Sequence, residues 1–588
     1  MAARGADEQE TRLGGKRAVR FVYGMEGLEN IAYASSANSL VAYFSGYMNF
    51  SITRSATTLT NFIGTSLMLS LFGGFVSDTY LSRFNTCVLF GCIELLDLRS
   101  MRMIGLGTKR DGLYYFTKTN HACCQGYALL TIQAHFPQLR PIPCKDVAPS
   151  KMNECHSAGS GQVAFLFTSL YLVAFGGSGV KAALPPLGAD QFNDDDPKER
   201  ALLSSYFNWL WFSLIVGSLI GVIFIPWLSS NKGWDWAFAA STIAVLFAII
   251  FLCVGKSLYR HSVPHGSSIL NILQVFVVAI RNRNLPVPEN ADELHEIRDN
   301  EARMKTETLH RTDQLRFLDR AAIIRNNTQS ASTVVTPGPW NLCTVTQVEE
   351  TKILIRMIPI LLSTVFMNTC ASQIQIFFIQ QSSTMDTHIM GLRVPNASLP
   401  AITLLFMFIL VPIYDQIFIP LVRKLTGIPT GIRHLQRVGI GLLLSTISMA
   451  IAGVVETRRK SVAVQHNMVD SKDPLPMSMF WLSFQYVFLG AADVFTLVGL
   501  LEFFYAESSS GMKSLSTAIS WCSIAFGYFT STVVVEVVNK TSGGWLASNN
   551  LNKDKLNYYY WSLSLLSVLN FVFYLVCASW YRSKKVET

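Results

Sequence analysis

Charge is what this sequence has least of. Asp, Glu, Lys and Arg make up 15% of its 588 residues, while half are hydrophobic. A soluble chain of this size carries about 25% charged residues. With a mean hydropathy of +0.31, the composition excludes a soluble globular protein and points to a polytopic membrane one. Catalytic signatures are missing too. No G-x-S-x-G, H-E-x-x-H or phosphate-loop pattern stands on a soluble segment, so no enzyme is expected. The eleven cysteines have no C-x-x-C spacing, which argues against zinc and redox motifs; no cofactor or metal is expected. Only Cys144 and Cys155 share a polar loop where a disulfide can form. No short apolar region precedes the first span, so no cleaved targeting peptide is expected. The net charge of +9 is no nucleic-acid footprint either. Much of it (Lys16, Arg17, Arg20, Arg582, Lys584, Lys585) flanks apolar runs, as positive-inside topology requires.

Apolar runs of about 20 residues, the length that crosses a bilayer, recur near 27–48, 57–77, 161–182, 207–229 and 236–255. They resume near 352–376, 399–420, 435–454, 478–502, 514–537 and 557–581. A twelfth is interrupted. Asn85 to Leu96 reads as half a span and Tyr127 to His135 as the other half. Between them lie residues 97–126, whose Lys, Arg, Asp and His lipid does not tolerate. Joined, the halves make one good helix. The insert is therefore expected to lie outside the working fold, as retained intron sequence would.

The fold class expected is an all-α polytopic membrane protein. About twelve transmembrane helices form two six-helix bundles, residues 1–255 and 351–588, joined by a long cytoplasmic linker over 256–350. Both termini then lie in the cytoplasm. The sequons at Asn49, Asn396 and Asn539 fall in outside loops, a fourth at Asn326 falls inside, and the basic run Thr457 to Lys460 counts against the scheme. The linker opens with SSILNILQVFVVAIRNR, apolar at helical spacing with basic residues at its end, which reads as an amphipathic helix on the inner leaflet. The remainder is charged, Pro-punctuated and expected to be partly disordered.

The first span places Glu26, Glu29 and Asn30 on one helical face. A carboxylate at the bilayer centre costs roughly 2.5–3.5 kcal/mol, so such groups face a bundle interior or a wet cavity; capping a helix start is the plainer alternative. Two short turns, GGFVSDTYLSRF (Gly73 to Phe84) and YDQIFIPLVRKLTG (Tyr414 to Gly427), pair an acid with a following base. Asp78 with Arg83, and Asp415 with Arg423, are candidates for a conformational clasp in each half, an internal repeat of the kind alternating access uses.

With these motifs, FGGSGVKAALPPLGADQF (Phe175 to Phe192), SSYFNWLWFSLIVGSLIG (Ser204 to Gly221), RFLDRAAI (Arg316 to Ile323) and ADVFTLVGLLEFFY (Ala492 to Tyr505), the chain resembles the plant nitrate/peptide transporter family. These are relatives of the proton-coupled oligopeptide transporters in the major facilitator superfamily, and the resemblance runs nearly end to end apart from the insert. It implies the major facilitator fold. It also implies that Lys181 and Glu502 face a central cavity from opposite halves and form an ion pair that substrate or protons break. The glycines of FGGSGVK are expected to allow close helix packing. The family's first-helix pattern is E-x-x-E followed by Arg or Lys; here neutral Asn30 follows Glu26 and Glu29. Proton coupling is then either weakened or left to Lys181 and Glu502. The E-N-x-A run is similar to members associated with carboxylate hormones such as abscisic acid and gibberellins, alongside nitrate. The seventh span offers Asn368, Ser372 and Gln373 but no histidine. With Tyr33, Asn38, Tyr43, Trp209 and Phe503 these either line a cavity or pack between helices. The expected function is secondary transport of a small anionic solute across the plasma or vacuolar membrane. A di/tripeptide proton symporter, or a non-transporting sensor or defective gene product, are the alternatives.

Overall fold

The computed structural model describes residues 13–50, 52–95, 126–141, 158–193, 196–260, 266–287, 294–296, 309–324, 338, 340–389, 392–393, 400–428, 431–471, 473–546 and 550–582. Apolar chain in lipid must satisfy its backbone within each segment, and helices dominate. The N-terminal bundle is built from α1 (Gly15–Gly46), α2 (Ile52–Thr79), α3 (Arg83–Leu95), α4 (Gly126–His135), α5 (Ser160–Ala189), α6 (Pro197–Asn231) and α7 (Trp234–Val254). After α8 (Ser268–Arg281) the C-terminal bundle follows. It comprises α9 (Val345–Ser383), α10 (Pro400–Ile413), α11 (Ile419–Thr426), α12 (His434–Gln465), α13 (Trp481–Glu507), α14 (Lys513–Thr541) and α15 (Leu556–Trp580). Among the described residues ten helices are long and apolar enough to cross a membrane. The more charged α1 and the α3/α4 pair complete the expected twelve. Two two-stranded pairings decorate the end opposite the termini: β1 (Met385–Asp386) runs parallel to β4 (Leu475–Ser478), and β2 (His388–Ile389) antiparallel to β3 (Leu392–Arg393).

The halves of the interrupted span converge. Both α3 and α4 pack against α5 and α7. A Cβ on Gly176 would meet Glu94, at the end of α3, at 2.6 Å, and a Cβ on Gly126, at the start of α4, would meet Val173 at 2.6 Å. Val173 and Gly176 are one turn apart on α5, so the end of α3 and the start of α4 lie close together. Residues 97–125 of the expected insert lie outside the described residues; Gly126 belongs to α4. Cys144 and Cys155, and the sequons at Asn326 and Asn396, also lie outside them.

Two local readings change. The basic run in Thr457–Lys460 is inside α12, where Arg459 is fully buried and bonds Glu456 at 2.7 and 2.8 Å. A helix of 32 residues is about 48 Å long, so it carries this pair past the bilayer and no topology need change. The linker is also better packed than its composition suggests. A 3-10 turn, Arg316–Ala322, lies on the base of α9, with Asp319 bonded to Lys352 at 2.6 Å and to Arg311 at 3.0 Å. α8 buries Val275, Val278 and Ala279 in the same cluster. It leaves Leu270, Leu273, Val277 and Ile280 exposed, so the helix has the uncovered apolar face that its amphipathic pattern leads one to expect.

Candidate functional site

Three helices of the N-terminal bundle bring ionisable groups together in its interior. α1 contributes Glu26, Glu29 and Asn30, all buried. α5 contributes Lys181, 4% exposed, whose Nζ lies 3.5 Å from Glu29 Oε1 and 3.9 Å from the centre of the Tyr33 ring. Asn30 does not replace the absent cation; its Nδ2 donates to Glu26 Oε1 at 3.0 Å. Lys181 supplies the positive charge instead, from another helix. Sequence reasoning missed a third carboxylate, Glu94 of α3. It is 1% exposed, and the only signal for it was an acid inside the half-span that precedes the insert.

Lys181 also touches the other bundle. Pro185, four residues on, has no N–H to bond the Lys181 carbonyl, and Trp521 Nε1 of α14 donates to that oxygen at 3.1 Å. The C-terminal bundle turns α13 toward this place: Val494, Leu497, Val498 and Leu501 join the N-terminal core. Asp493, one turn before Leu497, shares that face. It is half-buried and within electrostatic reach of Tyr528, as is Tyr33. Asp493 was quoted in the sequence but not singled out.

Glu502 is not the partner of Lys181. It lies nearer the end of α13 and bonds Arg437 Nη1 at 3.2 Å, with His434 Nδ1 at 3.6 Å, inside its own bundle. Lys181 sits deeper, with its side chain directed back along α5 to Glu29, so the two ion pairs form at different levels. Asn368, Ser372 and Gln373 are buried and engaged in packing. Asn368 donates to Ser523 Oγ at 2.8 Å, Ser372 to the Thr369 carbonyl at 2.9 Å, and Gln373 to the Ser531 carbonyl at 2.8 Å. Asn38 is exposed and donates to the Ala34 carbonyl. Tyr43 and Phe503 are core residues of their own bundles.

At the end that carries the termini two bolts, centred on Asp78 and Asp415, join the bundles beside a 2.6 Å bond from Arg437 to Asn208. Asp78, at the end of α2, accepts from the backbone N–H groups of Ser514 (3.3 Å) and Leu515 (2.8 Å), capping α14 from the opposite bundle, where a carboxylate also complements the helix dipole. Arg83 lies 3.7 Å from Asp78, donates to Ser514 Oγ at 3.0 Å and pairs with Asp190; Tyr505 donates to Asp190 at 3.1 Å. The second bolt is Asp415. Pro412 interrupts the helix ladder, and the chain passes through a π-helical turn, Tyr414–Phe418, a widening that re-aims side chains. Asp415 there accepts from Ser205 (2.8 Å), Asn208 (2.8 Å) and Trp209 (2.9 Å), all on α6. The expected Asp415–Arg423 clasp does not form. Arg423 is two turns further on, in the last turn of α11, and Asp415 is already engaged across the bundles.

The fold and sequence have known counterparts. A sequence model described as the POT family (PTR2) matches residues 122–551. Protein NRT1/PTR FAMILY 4.5 of Arabidopsis thaliana is 39% identical over 97% of this chain and 94% of its own length. NRT1/PTR FAMILY 4.6 of the same plant is 38% identical with the same coverage. Among solved structures, an auto-inhibited POT family peptide transporter matches with a TM-score of 0.56 at 17% identity, covering 96% of this chain and 97% of that one. The POT family transporter PepTSo matches with a TM-score of 0.57 at 16% identity, covering 97% and 99%.

Proposed function

This chain belongs to the POT family and is a secondary transporter in a membrane, and from that premise we propose that it carries a small anionic solute by alternating access, with protons as the coupled ion. The observation that supports this reading is one buried ammonium, Lys181, held by Glu29 at 3.5 Å where the two bundles meet. An anion cannot displace an ionised glutamate from that cation without cost. Once Glu29 takes a proton, the ammonium is free for the anion, and binding of the two becomes mutually favourable. Asp493, on the α13 face turned to the N-terminal bundle, replaces Glu502 as the C-terminal carboxylate in this scheme. Glu26, held by Asn30, is a supporting acid.

Access is governed by the bolts at the terminus end, which we assign to the cytoplasmic side. Asp78, Arg83 and Asp415 stabilise the state closed on that side, and their release opens it. Nitrate or a carboxylate hormone is the proposed cargo class. A peptide is the second reading, because Lys181 and Asp493 offer opposite charges from opposite bundles, as a zwitterion needs. One solved relative is in complex with 5-aminolevulinic acid and another with sulfate.

Uptake in oocytes tests this, offering nitrate, abscisic acid, gibberellin and a dipeptide at two external pH values. Acid-stimulated uptake of one of the anions is expected, abolished in Lys181→Ala and strongly reduced in Asp493→Asn at equal surface abundance. Uptake indifferent to pH and to both substitutions would refute the scheme, and preference for the dipeptide would select the second reading.

A further inference from the structure

The carboxylate that the scheme above leaves unused is Glu94. Both of its oxygens are buried and have no hydrogen-bond partner among the described residues. The contact of Gly176 with the Glu94 backbone presses α3 onto α5 and aims this side chain into the α1–α3–α5 junction. A Cβ placed on Gly177 would lie 3.6 Å from Glu29 Oε1 and 4.0 Å from each Glu94 oxygen. The two carboxylates therefore share the space over one glycine, a turn before Lys181. The groups that act on Glu94 electrostatically are Glu29 and Lys181, with the phenols of Tyr33 on α1 and Tyr127 on α4 beside it; on α7, Cys253 faces Cys92 instead. One ammonium thus serves Glu29 and Glu94, and two adjacent buried carboxylates with a single counter-charge cannot both remain ionised and unsolvated.

We propose that Glu94 is a proton-carrying residue of the transport cycle, holding a proton while Lys181 is paired with Glu29 and yielding it when Lys181 turns from Glu29 to Glu94. The step conserves charge. Glu94–COOH releases one proton to water, Glu29 accepts one, and the ammonium changes partner. The inference rests on the proton-driven reading above and adds a second site to it, so the proton is passed within the N-terminal bundle before the bundles part.

Infrared spectroscopy of the full chain in liposomes, in steps of pH, tests it without any cargo. A protonated-carboxyl band that disappears at alkaline pH is expected in the native protein, absent in Glu94→Gln, moved to lower pH in Glu29→Gln, where Lys181 is left to Glu94, and restored in Glu94→Asp. A band unchanged by Glu94→Gln overturns the proposal. In the same liposomes, nitrate and abscisic acid uptake driven by an imposed pH gradient should fall at least tenfold in Glu94→Gln, while exchange of unlabelled for labelled cargo at equal pH continues. Driven uptake equal to the native protein's overturns the role of Glu94 and leaves the transport reading intact. A Glu94-dependent band in a protein whose uptake ignores pH supports the proton site and overturns the proton-driven reading instead.

Discussion

Asp415→Asn removes a charge and turns one accepting oxygen into an NH2 donor, so it weakens two of the bonds that hold the bundles closed and breaks the third. Three donors on α6 converge on the carboxylate at 2.8–2.9 Å. Hydrogen bonds to charged groups contribute about 1.5–3 kcal/mol and neutral ones about 0.5–1.5, a difference of about 1 kcal/mol per bond. Two weakened bonds and the lost Asn208 bond would total about 4 kcal/mol, but Asp415 is half-buried and water recovers about half of the loss. About 2 kcal/mol remains, near a thirtyfold shift at 1.4 kcal/mol per decade. A terminus end closed 100:1 would then be open in about a quarter of molecules. Spin labels on cysteines replacing Lys198 and Lys424, both exposed and on opposite bundles, would read this by pulsed electron resonance as a second, longer distance. Arg423→Ala is the control. If Arg423→Ala lengthens the distance as much as Asp415→Asn, the clasp lies within one loop and the cross-bundle reasoning fails.

Three further outcomes follow from the geometry. Lys352→Ala takes from Asp319 and Glu349 their shared cation and leaves them to Arg311 and Arg356, at a cost below the ~3–5 kcal/mol of a fully unpaired buried charge, and should release the linker from α9. Cys343 reports it: burial pushes its thiol up to about 11, so it should resist maleimide at neutral pH in the native protein and react in the variant. Deletion of 97–125 should leave surface abundance and melting temperature unchanged, because Glu94 and Gly126 already pack one turn apart against α5; loss of the folded protein would show that the segment belongs to the fold. Trp521→Phe strands the Lys181 carbonyl, an unsatisfied buried acceptor costing about 1–3 kcal/mol, and should increase the open fraction seen by the same spin labels while leaving Cys343 protected.

How much of this was legible depended on the range of the interaction. Span length and apolarity are local properties, and the sequence alone yields twelve helices, the broken third span and the amphipathic α8. Lys181 and Glu29 were legible as buried charges because lipid leaves few other roles for them. Their pairing was not, since it joins α1 to α5 across about 150 residues of chain and depends on the level at which each side chain ends. Glu502 was expected at the cavity only because the family resemblance implies a glutamate there, and the packing of α13 reveals Arg437 beside it and Asp493 on the inner face. Asn368 and Gln373 were legible as polar groups in a span but not as donors to α14, because Ser523 and Ser531 come from more than 150 residues away. The Asp415–Arg423 pair followed from proximity in sequence. The π-helical turn after Pro412 redirected Asp415, and a hydropathy pattern contains no sign of that.

The position of α14 explains how a cargo site and a gate some distance apart can act together. Its first N–H groups are capped by Asp78, and its Trp521, seven residues or about 10 Å further along, bonds the backbone of Lys181. That second bond exists because Pro185 cannot use the carbonyl. A helix is stiff over two turns, so displacement of α14 from the N-terminal bundle must strain both attachments at once. Binding that disturbs the Lys181 turn therefore weakens the cap at Asp78, and loss of the cap loosens Lys181. Such coupling is reciprocal by thermodynamic necessity. It requires no relay of side chains between the two sites, only a rigid element held at both.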